Sequence, residues 1–322
     1  MSLLSIEDIV VEFPTRRGPL EAVKNLTLNL EEGQILGLVG ESGAGKSITA
    51  AAITGLIEPP GYIRAGQILL DGKRIDNLPR EQMRRIRGRQ IGSIFQDPLT
   101  SLNPVYTVGE QLVDTMQVNL GLSKKEARVR GIKWLTDVGI PAPELRFNQY
   151  PHQFSGGMRQ RVVIALALCS EPKLIIADEP TTALDVSVQA QILALLRRLC
   201  REHNTAVVLV THDMGVIAET ADRVVVMYAG RLVEIGDVAQ VIKAPLHPYS
   251  RGLMNSIPQV GAPAHRLTQI AGAMPGLRNP APGCAFAPRC SKAMEICSVS
   301  RPSITLKGDT RVACFLYEGD EQ

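Results

Sequence analysis

Short apolar runs alternate with segments of helical spacing along this chain. Leu3, Leu4, Ile6, Ile9, Val10 and Val11 predict a strand over residues 1–12, followed by a turn over Pro14–Pro19. Val23–Leu30 alternates apolar and polar positions and predicts a half-buried strand. Gln34–Val39 is a short apolar run bounded by glycines, as a buried strand requires, and Lys46–Leu56 then reads as a helix. Leu112–Asn119, Lys124–Val138 and Arg159–Leu168 have helical spacing interrupted by Gly and Pro, which predicts a helical subdomain over about 97–170. The alternation resumes with strand Leu174–Ala177, helix Ser187–His203, strand Ala206–Val210, helix Met214–Thr220 and strand Arg223–Tyr228. Strands and helices in this order predict an α/β core on a mainly parallel sheet. Nine prolines between Pro245 and Pro302 are too many for long helices or central strands. A boundary is therefore expected near 245, with an irregular extension over 246–322.

Composition narrows the class. Of 322 residues 45% are apolar, enough for a sizeable core, and the formal net charge is only +3. Near balance is not what a dedicated polyanion surface requires, so no nucleic-acid partner is expected. The longest apolar run, Val162–Cys169, falls well short of the roughly 18 residues of a membrane span. Met1–Val10 carries Glu7 and Asp8 with no basic cluster, unlike a signal peptide, so a cytosolic compartment is expected. Of six cysteines, four lie between Cys284 and Cys314, and in a reducing compartment free or metal-bound thiols are favoured over disulfides.

The densest chemistry is Gly40-Glu41-Ser42-Gly43-Ala44-Gly45-Lys46-Ser47, which fits GxxxxGK[ST] between a strand and a helix. Glycines let backbone N–H groups turn inward on phosphate oxygens, and the helix start adds positive partial charge. Lys46 would reach the β- and γ-phosphates and Ser47 would ligate Mg²⁺. Lys173–Ala177 ends in Asp178 and Glu179, a strand that would deliver one acid to a metal and the next to an attacking water. Alone, the pattern is equally that of a strand capped by exposed acids. Ser155-Gly156-Gly157 opens a third candidate, a helix start suited to an anion.

Taken in order, these motifs, Gln96 in IFQDP, Ala183-Leu184-Asp185 and Val210-Thr211-His212-Asp213 resemble the ATP-binding subunits of ABC transporters over about residues 3–240. The resemblance implies a P-loop NTPase cassette over 1–245, with an antiparallel β subdomain beside the helical one. It implies ATP and Mg²⁺ as cofactors and two ATPase subunits facing head to tail. Phosphate would rest on Gly40, Ser42, Gly43, Ala44, Gly45, Lys46, Ser47 and Ile48, with Phe13 stacking on adenine. Asp178, Ser47 and Gln96 would serve the Mg²⁺, Glu179 would be the general base, and His212 would contact the γ-phosphate. Ser155, Gly156 and Gly157 would serve the partner's ATP, and Asp185 would lie in the interface loop.

Phe95–Pro104, Pro245–Arg251 with Ile257-Pro258, and Gly283–Cys290 are similar to importers of dipeptides, oligopeptides and nickel. That branch implies a second, paralogous ATPase, two membrane permeases and an external peptide-binding protein as partners. It places the chain at the cytoplasmic face of the plasma membrane. Importers of nickel or another solute remain the alternative, and a soluble ABC ATPase is disfavoured by the single cassette and the lack of sustained heptads. The spacing of Cys284, Cys290, Cys297 and Cys314 suits a [4Fe–4S] cluster or a zinc ion without choosing between them. Resemblance favours the cluster. Cys169 and Cys200 read as packing residues, His152 and His203 as ordinary surface or capping residues.

Overall fold

The computed structural model describes residues 2–182, 184–256, 270–276 and 282–319. Ala183 and Ile257-Pro258 therefore lie outside the described residues. The chain forms two compact units, one of residues 31–34 and 77–209, the other of 2–30, 35–76 and 210–322.

In the second unit, strands Ser2–Thr15, Gly18–Glu31, Tyr62–Leu70 and Lys73–Arg74 make one sheet, with Ser2–Thr15 antiparallel to Tyr62–Leu70. The first strand runs past the predicted residue 12, and the expected Pro14–Pro19 turn contracts to Arg16 and Arg17. A bulge explains why apolar residues cluster in the first strand rather than alternating. Glu7 pairs with Gln67 but Val10 with Ala65, and Asp8 takes a positive φ of 47° between them. The same unit continues a second row of strands in the order Thr305–Lys307, Thr310–Val312, Arg231–Asp237, Arg223–Tyr228, Ile35–Val39. Ile35–Val39 is buried at every position, as a parallel strand covered on both faces should be.

Arg231–Asp237 is a strand that the apolar pattern did not predict. It returns antiparallel to Arg223–Tyr228 through Ala229 and Gly230, both at positive φ, which is the two-residue turn whose twist matches a hairpin. The tail is less irregular than its prolines predict. Pro248–Asn255 is a helix with Pro at its first position, where no N–H is needed, and two short strands extend the sheet edge.

In the first unit, strands run in the order Ala206–Val210, Leu174–Asp178, Ile91–Ile94. Helices Val108–Leu120 and Lys124–Asp137 belong to the predicted helical subdomain. The first begins four residues before the apolar spacing shows it, because Thr107 and Glu110 close a reciprocal capping box. Ser123 and Glu126 close another. Cys169 and Cys200 are fully buried, and burial pushes both thiols up to about 12, as packing residues require. His203 sits 4.9 Å from Trp134 and His152 stacks on Tyr150.

Candidate functional site

The phosphate loop is built on three glycines at positive φ: Gly40, Gly43 and Gly45. Gly45 caps helix Lys46–Thr54, and a Cβ there would lie 2.8 Å from the Ala22 carbonyl oxygen. Ala44 is fully buried and its carbonyl accepts from Gly230 N–H at 2.9 Å, which pins the loop to the hairpin turn. Lys46 is buried, and its Nζ donates to the Gly40 and Glu41 carbonyls at 2.8 and 3.1 Å. The charge is thus held over the loop, where a phosphate would draw it. Ser47 is exposed on the first helical turn, and Ile48 is half-buried behind it. Phe13 is half-buried, with its ring packed beside Gly61. His212 is exposed after strand Ala206–Val210, and Asp213 caps the helix that follows by accepting from Gly215 N–H at 2.7 Å.

The acids belong to the first unit. Strand Ile91–Ile94 pairs in parallel with Leu174–Asp178 in the register Ile94 to Ala177. Two residues beyond that pair come Gln96 and Glu179, so the register itself sets them side by side. Gln96 Nε2 donates to Glu179 Oε2 at 3.1 Å, and Thr182 Oγ1 donates to the same oxygen at 2.9 Å. Glu179 takes φ 46°, an uncommon conformation that turns its carboxylate out of the strand. Asp178 ends the strand half-buried. Ser155 caps the thirteen-residue helix Gly156–Leu168, its Oγ accepting from Met158 N–H at 3.3 Å. A Cβ on Gly157 would come 2.9 Å from Val188, and one on Gly156 would come 3.6 Å from Leu184. Asp185 directly precedes helix Val186–Glu202, without a side-chain capping bond. The helix start and the Asp185 loop are therefore neighbours, although the sequence separates them by thirty residues.

Sequence reasoning missed the residues that brace the phosphate loop from the tail. Tyr249, fully buried, accepts the Glu41 N–H on its hydroxyl at 2.8 Å. Arg289 donates to Glu41 Oε2 at 3.0 Å and to the Tyr228 hydroxyl at 3.2 Å. Tyr228 packs edge to face against Tyr249 and Phe286, and the latter two are tilted against each other, with centroids 4.7 to 5.4 Å apart. His247 caps the helix through Nδ1, which accepts from Tyr249 N–H at 3.0 Å. Burial pushes its imidazole down to about 3, so it stays neutral and able to accept. The signal in the sequence was Pro245–Arg251 and Arg289 between two cysteines, but nothing local tied either to residue 41. Tyr249→Phe leaves the Glu41 N–H without its acceptor at a cost of about 1–3 kcal/mol. A lower thermal midpoint and a several-fold higher KM for ATP are expected. An unchanged midpoint would show that the contact carries no load.

Cys284, Cys290, Cys297 and Cys314 line one small cavity of about 20 Å³ together with Phe286 and Met294. Backbone N–H groups face all four sulfurs: Phe286 and Ala287 on Cys284, Lys292 on Cys290 at 3.4 Å, Met294 on Cys297 at 3.4 Å and Leu316 on Cys314. Such donors stabilise thiolates bound to a metal centre. Burial pushes the Cys284, Cys290 and Cys314 thiols up, and the neighbouring cysteines add to the rise. Four thiolates there would need a compensating cation. Among the described residues no three His, Cys, Asp or Glu side chains stand close enough to hold a single ion.

A glycine-shaped phosphate loop and an acid-ended strand with a glutamine on its neighbour define a P-loop nucleotide hydrolase. The ABC transporter family model matches residues 23–182, and that of the oligopeptide/dipeptide transporter C-terminal region matches 233–297. The chain is 46% identical, over all of its length and 99% of the relative's, to the oligopeptide transport ATP-binding protein AppD of Bacillus subtilis (strain 168). It is 42% identical to the dipeptide transport ATP-binding protein DppD of Escherichia coli (strain K12), over all of this chain and 98% of the relative. Among solved structures, the ATP-binding cassette MJ0796 in its post-hydrolysis dimer with ADP and Pi is 30% identical. It covers 73% of this chain and 98% of its own at a TM-score of 0.65. The chain belongs to the ATP-binding proteins of ABC transporters, in the branch with the oligopeptide/dipeptide C-terminal region, and is an ATPase.

Proposed function

We propose that this chain powers import of dipeptides and oligopeptides, as one ATPase of a head-to-tail pair beneath two membrane permeases fed by an external peptide-binding protein. The observation that carries this reading is the peptide-branch tail built into the phosphate loop through Tyr249 and Arg289. Among the described residues no helix is long and apolar enough to cross a membrane. That fits a peripheral subunit at the cytoplasmic face. Phe95, Leu99, Val105 and Tyr106 are all exposed and offer an apolar surface for permease helices.

In the proposed cycle the loop amides and Lys46 hold the phosphates, and Phe13 offers its ring face to adenine. Bound Mg²⁺ would neutralise phosphate charge, with Ser47, Gln96 and Asp178 as its ligands. Glu179 orients the attacking water and accepts its proton, held in place by Gln96 and Thr182. His212 contacts the γ-phosphate. Ser155, Gly156 and Gly157 complete the partner's site beside Asp185, so ATP joins the halves and its cleavage releases them. Cys284, Cys290, Cys297 and Cys314 would hold a [4Fe–4S] cluster whose chemistry here is structural, tying together a tail too poor in apolar residues to fold strongly alone.

Co-reconstitution with the permeases, the partner ATPase and the binding protein tests the transport reading. Uptake of a radiolabelled tripeptide is expected only with this chain present and ATP inside. Uptake of nickel but not peptide would overturn it. Anaerobic purification should yield a coloured protein with stoichiometric iron and sulfide. A colourless protein holding one zinc would overturn the cluster and leave the ATPase standing.

A further inference from the structure

The tail brings a buried cation to the phosphate loop. Arg289 ends the short turn Ala287–Arg289, in the same compact unit as the loop. Its side chain is only 6% exposed. Nε donates to the Ala271 carbonyl at 2.9 Å and Nη2 to the Ile270 carbonyl at 3.2 Å. Nη1 donates to the Tyr228 hydroxyl at 3.2 Å and to Glu41 Oε2 at 3.0 Å. Of these acceptors Glu41 is the one that carries charge.

A carboxylate is an awkward group at residue 41. The loop over 40–47 is shaped to surround phosphate, and a bare negative charge within it would repel the nucleotide, more strongly as water leaves. It would also compete for Lys46, whose Nζ already donates to the Glu41 carbonyl at 3.1 Å. Arg289 is not needed to hold the Glu41 backbone. The Glu41 N–H goes to the Tyr249 hydroxyl at 2.8 Å, and its carbonyl also accepts from Ala44 N–H at 3.1 Å. What Arg289 adds is a counter-charge that does not titrate at any working pH. The pair is partly withdrawn from water, so salt screens it less than it would a surface pair. The same guanidinium seats the segment 270–276 by its two carbonyl bonds. Met274 Cε of that segment lies 2.9 Å from where a Cβ on Gly43 would stand.

We propose that Arg289 is a positioning residue of the ATPase site, acting through Glu41. It neutralises a carboxylate inside the phosphate loop, so that Lys46 and the loop amides turn to the nucleotide phosphates. The role rests on the loop being the ATP site, and is independent of the transported solute and of any group held by the cysteines.

Equilibrium binding of MgATP to the purified full chain tests this. Arg289→Gln is expected to bind at least tenfold more weakly than the parent. Adding Glu41→Gln to that variant should restore the affinity to within threefold of the parent. A brace alone gives no such rescue, because removing a second side chain from a loosened loop does not tighten it. Arg289→Lys keeps a charge beside Glu41 while giving up the fork, and should stay within threefold of the parent. Thermal melting checks that each variant is folded, and Arg289→Lys decides alone if Arg289→Gln is not. A double variant as weak as Arg289→Gln, or a tenfold loss in Arg289→Lys, overturns the proposal. A parent that binds no MgATP would instead remove the ATP site on which the proposal rests.

Discussion

Glu179→Gln is expected to lower the rate of ATP hydrolysis by about 10²–10⁴-fold, the usual contribution of a positioned general base. Glutamine has nearly the same shape, so strand Leu174–Asp178 and its register with Ile91–Ile94 should survive. Gln96 Nε2 and Thr182 Oγ1 still have an oxygen to donate to. What disappears is the basic oxygen that takes the proton from water. Binding should therefore persist while turnover stops, and the variant should accumulate with ATP bound. Phosphate release under single turnover, beside nucleotide binding on filters, separates the two quantities. A rate within tenfold of the parent would remove Glu179 from the role of base. Loss of binding and rate together would instead point to a damaged fold.

Gly45→Ala should disrupt the phosphate loop at the start of its helix. Gly45 takes φ 102°, which costs a residue with a Cβ about 1–3 kcal/mol. The new methyl would also lie 2.8 Å from the Ala22 carbonyl oxygen and 3.3 Å from the Gly230 Cα, both backbone atoms that cannot swing aside. Overpacking of this kind adds about 1–3 kcal/mol. The sum is about 2–6 kcal/mol, and a roughly hundredfold loss of ATP affinity is expected as the helix start shifts. Two other glycines calibrate the result. Gly43→Ala meets only the flexible end of Met274 at 2.9 Å and should cost less. Gly18→Ala shares a positive φ but has nothing within 4 Å, so it measures the backbone term alone. Denaturant midpoints of the three variants should fall in the order Gly18, Gly43, Gly45, with Gly45 lowest. An equal loss in all three would show that strain, not crowding, dominates.

Legibility followed the range of the interaction. Ile35–Val39, Leu174–Asp178 and Ala206–Val210 were readable because a strand buried on both faces must be apolar throughout. Helix starts at Val108 and Lys124 depend on capping boxes at Thr107 and Ser123. The first was placed too late because apolar spacing alone begins at Leu112. Arg231–Asp237 escaped because its identity rests on the Ala229-Gly230 turn rather than on alternation. The tail prolines overstated its irregularity, since Pro248 sits where a helix accepts it.

By itself the sequence determined the phosphate loop, the acid-ended strand and the four-cysteine tail. Glycine conformation, strand burial and residue chemistry act within a few neighbours, and a local pattern is enough to express them. Only the tertiary structure decided which of these touch. A parallel register joins Gln96 to Glu179 across 83 residues, and Tyr249 and Arg289 reach Glu41 across 208 and 248. Such contacts form only when folding repays the entropy of closing long loops, and that repayment comes from the whole core, which no short stretch of chain contains.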